Sequence, residues 1–401
     1  MLANQPLPWQ KPVTVFKGGT AFNSILREFQ AYFPYTTYIV PITDDGGSSR
    51  EISRVFGGPS IGDLRSTLTR LADENSVATC AVKRLLEHRL PCEDLEQALT
   101  EWHAFLEGNH PLYVDISSQY QELIRSFLYK FEAERLSQLS LHFDLRNGSI
   151  GNLFFSGIRI AMESLATAIF IYASVARIPA TAQVLPILNS NDRLGIGVKL
   201  QNGDVILGQH MISHPTDHGH VDKNTLIPLP SPITELFYMD SMHHYIQPKP
   251  YDEVIHQIKN SSGIIYGMGS LWTSIIPSLV VEGIGESIAA LKCAKVALLN
   301  CCYDRETLNM TGVDIIHALC TSLNRYGTLF HLPSTYITHL FVVQGATIVV
   351  DENQMRQLGI QVYYIPSDPF KHLFIENKIY PIYVIQELIQ SIAQVLDLTT
   401  N

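Results

Sequence analysis

The sequence has no apolar run of the roughly 20 residues that a membrane-spanning helix needs, and it has little charge. Charged residues make up 16% of the 401 residues, and acids exceed bases so that the formal net charge is −10. An acidic chain repels nucleic acid and anionic membrane surfaces, so we expect neither as a partner. Any anionic ligand must therefore be held by local donors.

Cysteine is also scarce. The six cysteines form no C-x-x-C pair, and the adjacent Cys301 and Cys302 suit neither a disulfide framework nor a zinc site. The first residues include Pro6, Pro8 and Trp9 instead of a basic and then apolar leader, so we predict a cytoplasmic protein. A hydrophobic content of 46% is enough for a large core, and we predict one domain over 1–401.

Short apolar runs alternate with segments of helical periodicity, which predicts a Rossmann-like, doubly wound α/β fold with a mainly parallel sheet. The predicted strands are 13–16, 38–42, 183–188, 263–266, 295–299, 338–343 and 362–365. Two segments depart from this alternation. Residues 74–145 are helical in pattern and predict a helical insertion, whereas 190–245 contains a β-hairpin excursion, because 195–200 and 204–208 are joined through Asn202-Gly203.

Four polar loops follow strands or open helices. Gly18, Gly19 and Thr20 would let a phosphate reach backbone N–H groups and the positive end of a helix, although two glycines also suit a plain tight turn. Two other loops, 267–274 and 147–152, offer similar donors. Their candidate residues are Gly267, Gly269, Ser270, Thr273, Ser149 and Asn152. Ser149 also suits a helix cap. Loops at the carboxyl ends of parallel strands converge, so we expect one crevice.

The remaining loop, 43–49, contains Asp44 and Asp45. If strand geometry persists, the two carboxylates point to opposite faces, and only one of them faces the crevice. Asp63 begins a helix, where it serves either as an N-cap or, with a carboxylate of the pair, as a ligand of Mg²⁺. Arg65 would clamp a phosphate or pair with Asp45 or Asp63. We interpret 304–307 as a solvated, salt-bridged loop, with ligand contact as the alternative.

The order of these motifs resembles the CofD/YvcK family, and it looks closest to a branch with eukaryotic members. The motifs are Gly-Gly-Thr at 18–20, Thr-Asp-Asp-Gly-Gly-Ser-Ser at 43–49, Gly-Asp-Leu-Arg-Ser at 62–66, Gly-Ser-Ile-Gly-Asn at 148–152 and Gly-Met-Gly-Ser-Leu-Trp-Thr-Ser-Ile-Ile-Pro-Ser-Leu at 267–279. The resemblance implies a Rossmann-like fold, a homodimer, and a nucleotide or nucleotide-sugar ligand across the strand ends.

CofD proteins transfer a phospholactyl-type group from a guanosine diphosphate adduct to a deazaflavin, with Mg²⁺. Carried over by motif, the resemblance implies metal ligands at Asp44, Asp45 and Asp63, and a catalytic role for Asp45, Asp63 and Arg65. It also implies a set of nucleotide- and phosphate-binding residues, namely Gly18, Gly19, Thr20, Ser48, Ser149, Asn152, Gly267, Gly269, Ser270 and Thr273.

One departure leaves two functions open. CofD proteins follow the paired aspartates with an aromatic residue that shapes the deazaflavin site, whereas this chain has Gly46-Gly47-Ser48-Ser49, as YvcK proteins do. This weakens the prediction of a deazaflavin-like acceptor. The first function is an Mg²⁺-dependent transferase that moves a phospho-carboxylate group from a nucleoside diphosphate adduct to an acceptor hydroxyl. The second is a non-catalytic regulator that binds a nucleotide sugar such as a UDP-sugar.

Overall fold

The computed structural model describes residues 8–138, 140–213, 227–375 and 378–400. The chain forms two compact units. Unit 1 comprises Met1–Pro41, Thr181–Leu188 and Gly195–Asn401, and unit 2 comprises Ile42–Ala180 and Asn189–Leu194. One domain over 1–401 stays a prediction. No helix of the described residues is long and apolar enough to cross a membrane.

The strands belong to three sheets, all in unit 1. They are β1 Val13–Phe16, β2 Thr36–Val40, β3 Gln183–Pro186, β4 Gly195–Leu200, β5 Val205–Leu207, β6 Ile233–Met239, β7 Tyr245–Ile246, β8 Gly263–Tyr266, β9 Ala294–Leu298, β10 His339–Val343, β11 Gln361–Ile365, β12 Ser367–Ile375 and β13 Lys378–Tyr383.

The helices occur in both units. They are α1 Leu26–Tyr32, α2 Gly47–Phe56, α3 Gly62–Leu71, α4 Val77–Glu87, α5 Leu95–Glu107, α6 Ser118–Ser137, α7 Ile150–Met162, α8 Leu165–Val175, α9 Gln209–Ser213, α10 Asp252–Lys259, α11 Ile276–Leu279, α12 Ile284–Ala289, α13 Gly312–Asn324, α14 Pro333–Tyr336, α15 Glu352–Gln357 and α16 Ile385–Thr400. Shorter 3₁₀ turns lie at Phe22–Ser24 and Pro111–Tyr113, and a π-helical turn lies at Leu271–Ile275.

The largest sheet has seven strands in the order β11-β10-β9-β8-β1-β2-β3, and every pair in it is parallel. The chain builds outward from β1 to β3 on one side and from β8 to β11 on the other. The strand order therefore reverses between β1 and β8, which is the switch point where doubly wound proteins bind ligands. The Rossmann-like α/β fold is confirmed.

All seven strands predicted for this sheet are present, with small differences at their ends. The largest difference is in β2, which was predicted over 38–42 and instead begins at Thr36 and ends at Val40. The strand cannot continue because Pro41 has no N–H group to donate to a ladder. The strand geometry assumed for Asp44 and Asp45 therefore does not reach them.

The predicted hairpin is confirmed by the antiparallel pair β4 and β5, in which the Leu200 N–H donates to the Asp204 carbonyl over 2.8 Å. The structure adds β6 and β7, which extend the pair to a four-stranded sheet in the order β5-β4-β6-β7. The antiparallel pair β12 and β13 was also not predicted.

Unit 2 is helical. Residues 74–145, predicted as an insertion, contain α4, α5 and α6. The apolar stretch after Asn147 forms two helices, α7 and α8. The break follows because Glu163 adopts a left-handed conformation (φ 51°) and the Ser164 hydroxyl caps α8 by accepting the Thr167 N–H.

Gly157 lies where α7 crosses α6, and a Cβ there would lie 2.0 Å from the Phe127 carbonyl oxygen. We predict that Gly157→Ala lowers the free energy of unfolding by about 1–3 kcal/mol, because one of the helices must shift. Urea unfolding measures the change. Ala161→Ser on the exposed face of α7 is the control and should stay near wild type; equal unfolding curves for the two variants would contradict the close crossing.

Candidate functional site

Two of the predicted loops meet at the switch point of unit 1. The 18–20 loop follows β1, and the 267–274 loop follows β8. A Cβ at Gly18 would lie 2.6 Å from the Ser274 carbonyl oxygen, and one at Gly269 would lie 3.1 Å from the Gly18 carbonyl oxygen. A side chain at Gly18 would therefore clash with the backbone of the other loop, and one at Gly269 would make a tight contact. Thr20, in contrast, is exposed.

Side chains from the loop after β9 hold the 267–274 loop in place. Asn300 accepts a hydrogen bond from the Gly269 N–H (3.1 Å) and donates its amide to the Gly269 carbonyl (2.8 Å). Asp304 accepts a hydrogen bond from the Ser270 hydroxyl. The one sequence signal for Asn300 is its position at the carboxyl end of a strand, and sequence reasoning alone did not single it out.

Glu306 holds the rest of that loop. Its carboxyl group accepts hydrogen bonds from the N–H groups of Trp272 (2.8 Å) and Thr273 (3.1 Å), and it bonds the Thr273 hydroxyl at 2.5 Å. The donors of Thr273, which the resemblance assigned to phosphate, are therefore engaged by an internal carboxyl group. The interpretation of 304–307 as a solvated loop is wrong, since Glu306 is 4% exposed and Thr307 is 3% exposed.

Burial, and then the neighbouring Asp304 carboxyl, raise the pKa of Glu306 to about 8, against the hydrogen bonds from Thr273 and Trp272. The pKa of Asp304 is itself raised, mainly by burial. Glu306 is thus largely a neutral acid at neutral pH, and the switch-point loop rests on it without adding a full negative charge.

In unit 2, three carboxylates lie near the start of α3. Burial, then the Asp63 carboxylate, then the Asp45 carboxylate hold the pKa of Asp44 well above its usual range, and the Arg65 guanidinium acts in the opposite direction. The neighbour with the larger effect on Asp44 is therefore Asp63. Asp45 lies 3.9 Å from Arg50.

The start of α3 decides between the two interpretations of Asp63. The N-cap of α3 is Ile61, and Asp63 is the second residue of the helix, so the interpretation of Asp63 as an N-cap is wrong. Asp44 also lies at this helix end, because a Cβ at Gly62 would lie 2.5 Å from Asp44 Oδ2 and 2.6 Å from Ser49 Oγ. Both acids benefit from the positive end of the helix.

Asn152 connects the loop 43–49 to the start of α7. Its amide donates to Ser48 Oγ (2.8 Å) and Ser49 Oγ (3.3 Å), and its Oδ1 accepts from Arg65 Nε (2.7 Å). Ser149 is the N-cap of α7, since its hydroxyl accepts the Asn152 N–H. The predicted residues Ser48, Ser149, Asn152 and Arg65 thus form one network.

A second arginine, which sequence reasoning missed, lies beside this network. Arg89 donates to the Asn147 carbonyl (3.1 Å), and its backbone pairs with that of Ser149. Burial, and then the Arg65 guanidinium, lower the pKa of Arg89. Nothing in the local sequence marked this residue, because it follows α4 and is more than fifty residues away from Ser149.

The structure therefore joins the predicted loops in pairs: 18–20 with 267–274 in unit 1, and 43–49 with 149–152 in unit 2. The convergence of all four loops on one crevice stays a prediction. In unit 2, carboxylate oxygens are hard donors of the kind that Mg²⁺ prefers. Burial, and then repulsion from Asp63 and Asp45, raise the pKa of Asp44, and a cation would relieve that repulsion. The donor set thus fits Mg²⁺.

The sheet order and these loops define a Rossmann-like α/β protein with polar loops at its strand ends. The chain belongs to the CofD family: the family profile described as 2-phospho-L-lactate transferase CofD matches residues 13–366. The resemblance stated from the motifs is confirmed.

Relatives carry a different description. The gluconeogenesis factor of Bacillus subtilis is 27% identical over 312 residues, which cover 77% of this chain and 74% of that protein. An uncharacterized protein of Saccharomyces cerevisiae is 29% identical over 428 residues and covers 88% of this chain and 95% of its own length. A crystal structure of a Bacillus halodurans protein, 21% identical, has the same fold, with a TM-score of 0.67 over 96% of this chain and 100% of that one.

Glu306 supplies a pH-dependent prediction. Its folded pKa lies above the usual 4.5, so the stability that its protonated form contributes is fully present below about pH 4.5 and is lost as the pH rises through about 8. Across this window, the wild-type protein should lose up to about 1.4 kcal/mol of unfolding free energy per pH unit. We predict that Glu306→Gln, which cannot ionise, does not show this loss.

The measurement is urea unfolding of both proteins from acid to mildly alkaline pH. The Glu306→Gln protein should become the more stable one toward the alkaline end. Glu387→Gln on the exposed face of α16 is the control. Parallel stability curves for wild type and Glu306→Gln would show that the Glu306 pKa is not raised.

Proposed function

We propose that the chain is an Mg²⁺-dependent transferase that moves a phospho-carboxylate group, of the 2-phospholactate type, from a nucleoside diphosphate adduct to an acceptor hydroxyl. The observation that carries the proposal is the group of acids at the start of α3, where the Asp63 and Asp45 carboxylates both raise the pKa of Asp44. The CofD family profile supports the same reaction class.

Mg²⁺ would be held by Asp44 and Asp63, with Asp45 as a third acid. When bound, it would neutralise the negative charge of the diphosphate, as divalent cations do in phosphoryl transfer. Two carboxylates together with substrate phosphates are a usual ligand set for this ion. The cation would then offset the repulsion from Asp63 and Asp45, which adds to the effect of burial in raising the pKa of Asp44.

The remaining residues bind and orient the ligand. Arg65, fixed through its Nε by Asn152, offers a guanidinium to the transferred group, and Arg89 adds a second positive charge nearby. In the reaction, the acceptor oxygen forms a bond to the phosphorus of the transferred group, and its proton passes to solvent. The P–O bond to the nucleoside monophosphate breaks, and this product leaves with the bridging oxygen. Positioning and charge stabilisation provide the rate enhancement, and no side chain serves as a covalent nucleophile.

A non-catalytic regulator that binds a nucleotide sugar is the second candidate, and two observations favour it. The relatives from Bacillus subtilis and Listeria monocytogenes are gluconeogenesis factors, the latter 24% identical over 364 residues and 88% of this chain. In addition, Gly47 and Ser48 after the aspartates begin α2, and the Ser48 hydroxyl is bonded to Asn152. An aromatic residue for a deazaflavin acceptor is therefore missing at that point of the sequence.

The carboxylates give a prediction about Mg²⁺. We predict that Asp44→Asn and Asp63→Asn each weaken Mg²⁺ binding roughly tenfold or more, because each removes a charged ligand. Without Mg²⁺, Asp44→Asn should raise the free energy of unfolding at neutral pH, since the raised pKa of Asp44 means that its ionised form is disfavoured in the fold.

Urea unfolding with and without excess Mg²⁺ measures both effects. Asp192→Asn, an exposed acid of unit 2, is the matched control and should keep the full Mg²⁺ effect. Asp45→Asn is measured beside them to rank the three acids. The metal assignment would be falsified if Mg²⁺ stabilised all four variants equally.

Turnover separates the two candidate functions. We predict binding of GDP, UDP or a UDP-sugar with an affinity on the order of micromolar, measured by calorimetry with Mg²⁺ present. Release of nucleoside monophosphate from a phospholactyl-guanosine diphosphate, dependent on an added deazaflavin or other hydroxyl acceptor, identifies the transferase. Binding of a UDP-sugar with no release from any adduct identifies the regulator, and the absence of heat with every nucleotide would exclude both.

A further inference from the structure

A cavity of about 630 Å³ lies in unit 1 beside the π-helical turn Leu271–Ile275. Trp272, Arg305 and Glu306 form one part of its wall, and residues of α13, including His317, form another. Sites for small molecules usually have volumes of roughly 300–1,000 Å³, so this cavity is large enough for one. No motif in the sequence pointed to it.

Two N–H donors of residues at this wall have no acceptor within the described part of the chain. Trp272 is 3% exposed, and its indole Nε1 is buried with no hydrogen-bond partner among the described residues. The Nε of Arg305 is also buried, and within the same described ranges it has no partner. A buried donor without an acceptor costs free energy, and a ligand that brings an acceptor into the cavity would remove that cost.

Arg305 brings a positive charge to this wall, and Asp314 brings a negative one. Arg305 donates its Nη1 to the Ile227 carbonyl (3.0 Å), and it pairs with no carboxylate in the part of the chain that the structure describes. Burial lowers the pKa of Arg305, and the Glu306 carboxyl, which is engaged by Trp272 and Thr273, acts in the opposite direction. Asp314, also at the wall, is bonded to Thr311 in the cap of α13.

The wall of the cavity also has apolar surface, which Pro228, Leu308 and Met310 contribute. We propose that this cavity binds a small molecule that carries an oxyanion, either a carboxylate or a phosphate, on an apolar body. The oxyanion accepts hydrogen bonds from Arg305 and Trp272, and the apolar part contacts Leu308 and Met310. This site lies in unit 1, and it does not depend on the acids of unit 2 or on the proposed transferase activity.

The test uses benzoate, phenyl phosphate and the uncharged benzamide as probes, with dissociation constants from ligand-observed NMR on the full chain. We expect benzoate or phenyl phosphate to bind about tenfold or more tightly than benzamide, because only they offer a charged acceptor. Benzoate and phenyl phosphate together distinguish a carboxylate site from a phosphate site. Arg305→Met should abolish the preference over benzamide, and Trp272→Phe, which keeps a ring but removes the N–H, should weaken the charged probe severalfold.

Arg356→Met, on the surface helix α15 and outside the cavity wall, is the control for nonspecific attraction of anions. Asp44→Asn, measured without Mg²⁺, should bind the probes like wild type, so failure of the proposed transferase and failure of this site are separable. Equal affinities for the charged probe in wild type and Arg305→Met, or no binding of either charged probe to wild type, would overturn the proposal. If Arg305→Met does not fold, Trp272→Phe alone decides by the same comparison.

Discussion

The arrangement of the switch point depends on one buried carboxyl group. Glu306 lies in the segment after β9. It accepts hydrogen bonds from the N–H groups of Trp272 and Thr273, which follow β8. A helix start normally offers such groups to a bound anion, but here an internal acid occupies them. The π-helical turn is thereby fixed, and with it the position of Ser274, against which Gly18 packs. This hydrogen bonding, together with that of Asn300 to Gly269, holds the loop after β8, against which the loop after β1 packs.

In unit 2, a side-chain amide holds the loop segments together. Asn152 at the start of α7 binds Ser48, Ser49 and Arg65, so an amide holds two helix ends and an arginine together. Asp44 lies beside other acids, and burial and then these acids raise its pKa, a repulsion that the proposed Mg²⁺ would relieve. The contrast between a supporting acid and a destabilised acid separates structural carboxyl groups from candidate ligands.

Periodicity and turn residues were sufficient to predict the seven parallel strands and the β4–β5 hairpin, because these signals are local. The strands β12 and β13 were not predicted, because Pro369 interrupts the strand pattern and most of β12 is exposed. The supporting role of Glu306 was not predicted for another reason. Its partners Trp272 and Thr273 are 34 and 33 residues away, and only the adjacency of β8 and β9 brings them together. The role of Asp63 was ambiguous, because spacing alone does not show whether the helix begins just before this acid or just after it.

A net charge of −10 opposes a nucleotide ligand at long range, and the local arrangement shows how the chain offsets it. Burial keeps Glu306 largely protonated, so an acid at the switch point carries little charge at neutral pH. In unit 2, Arg65 and Arg89 lie close enough for the first to lower the pKa of the second, which places two positive charges near Ser149. Long-range repulsion is screened by salt over about 8–10 Å, whereas these buried groups act within a few ångströms. Close to the loops, the charges of these buried groups therefore outweigh the net charge of the chain.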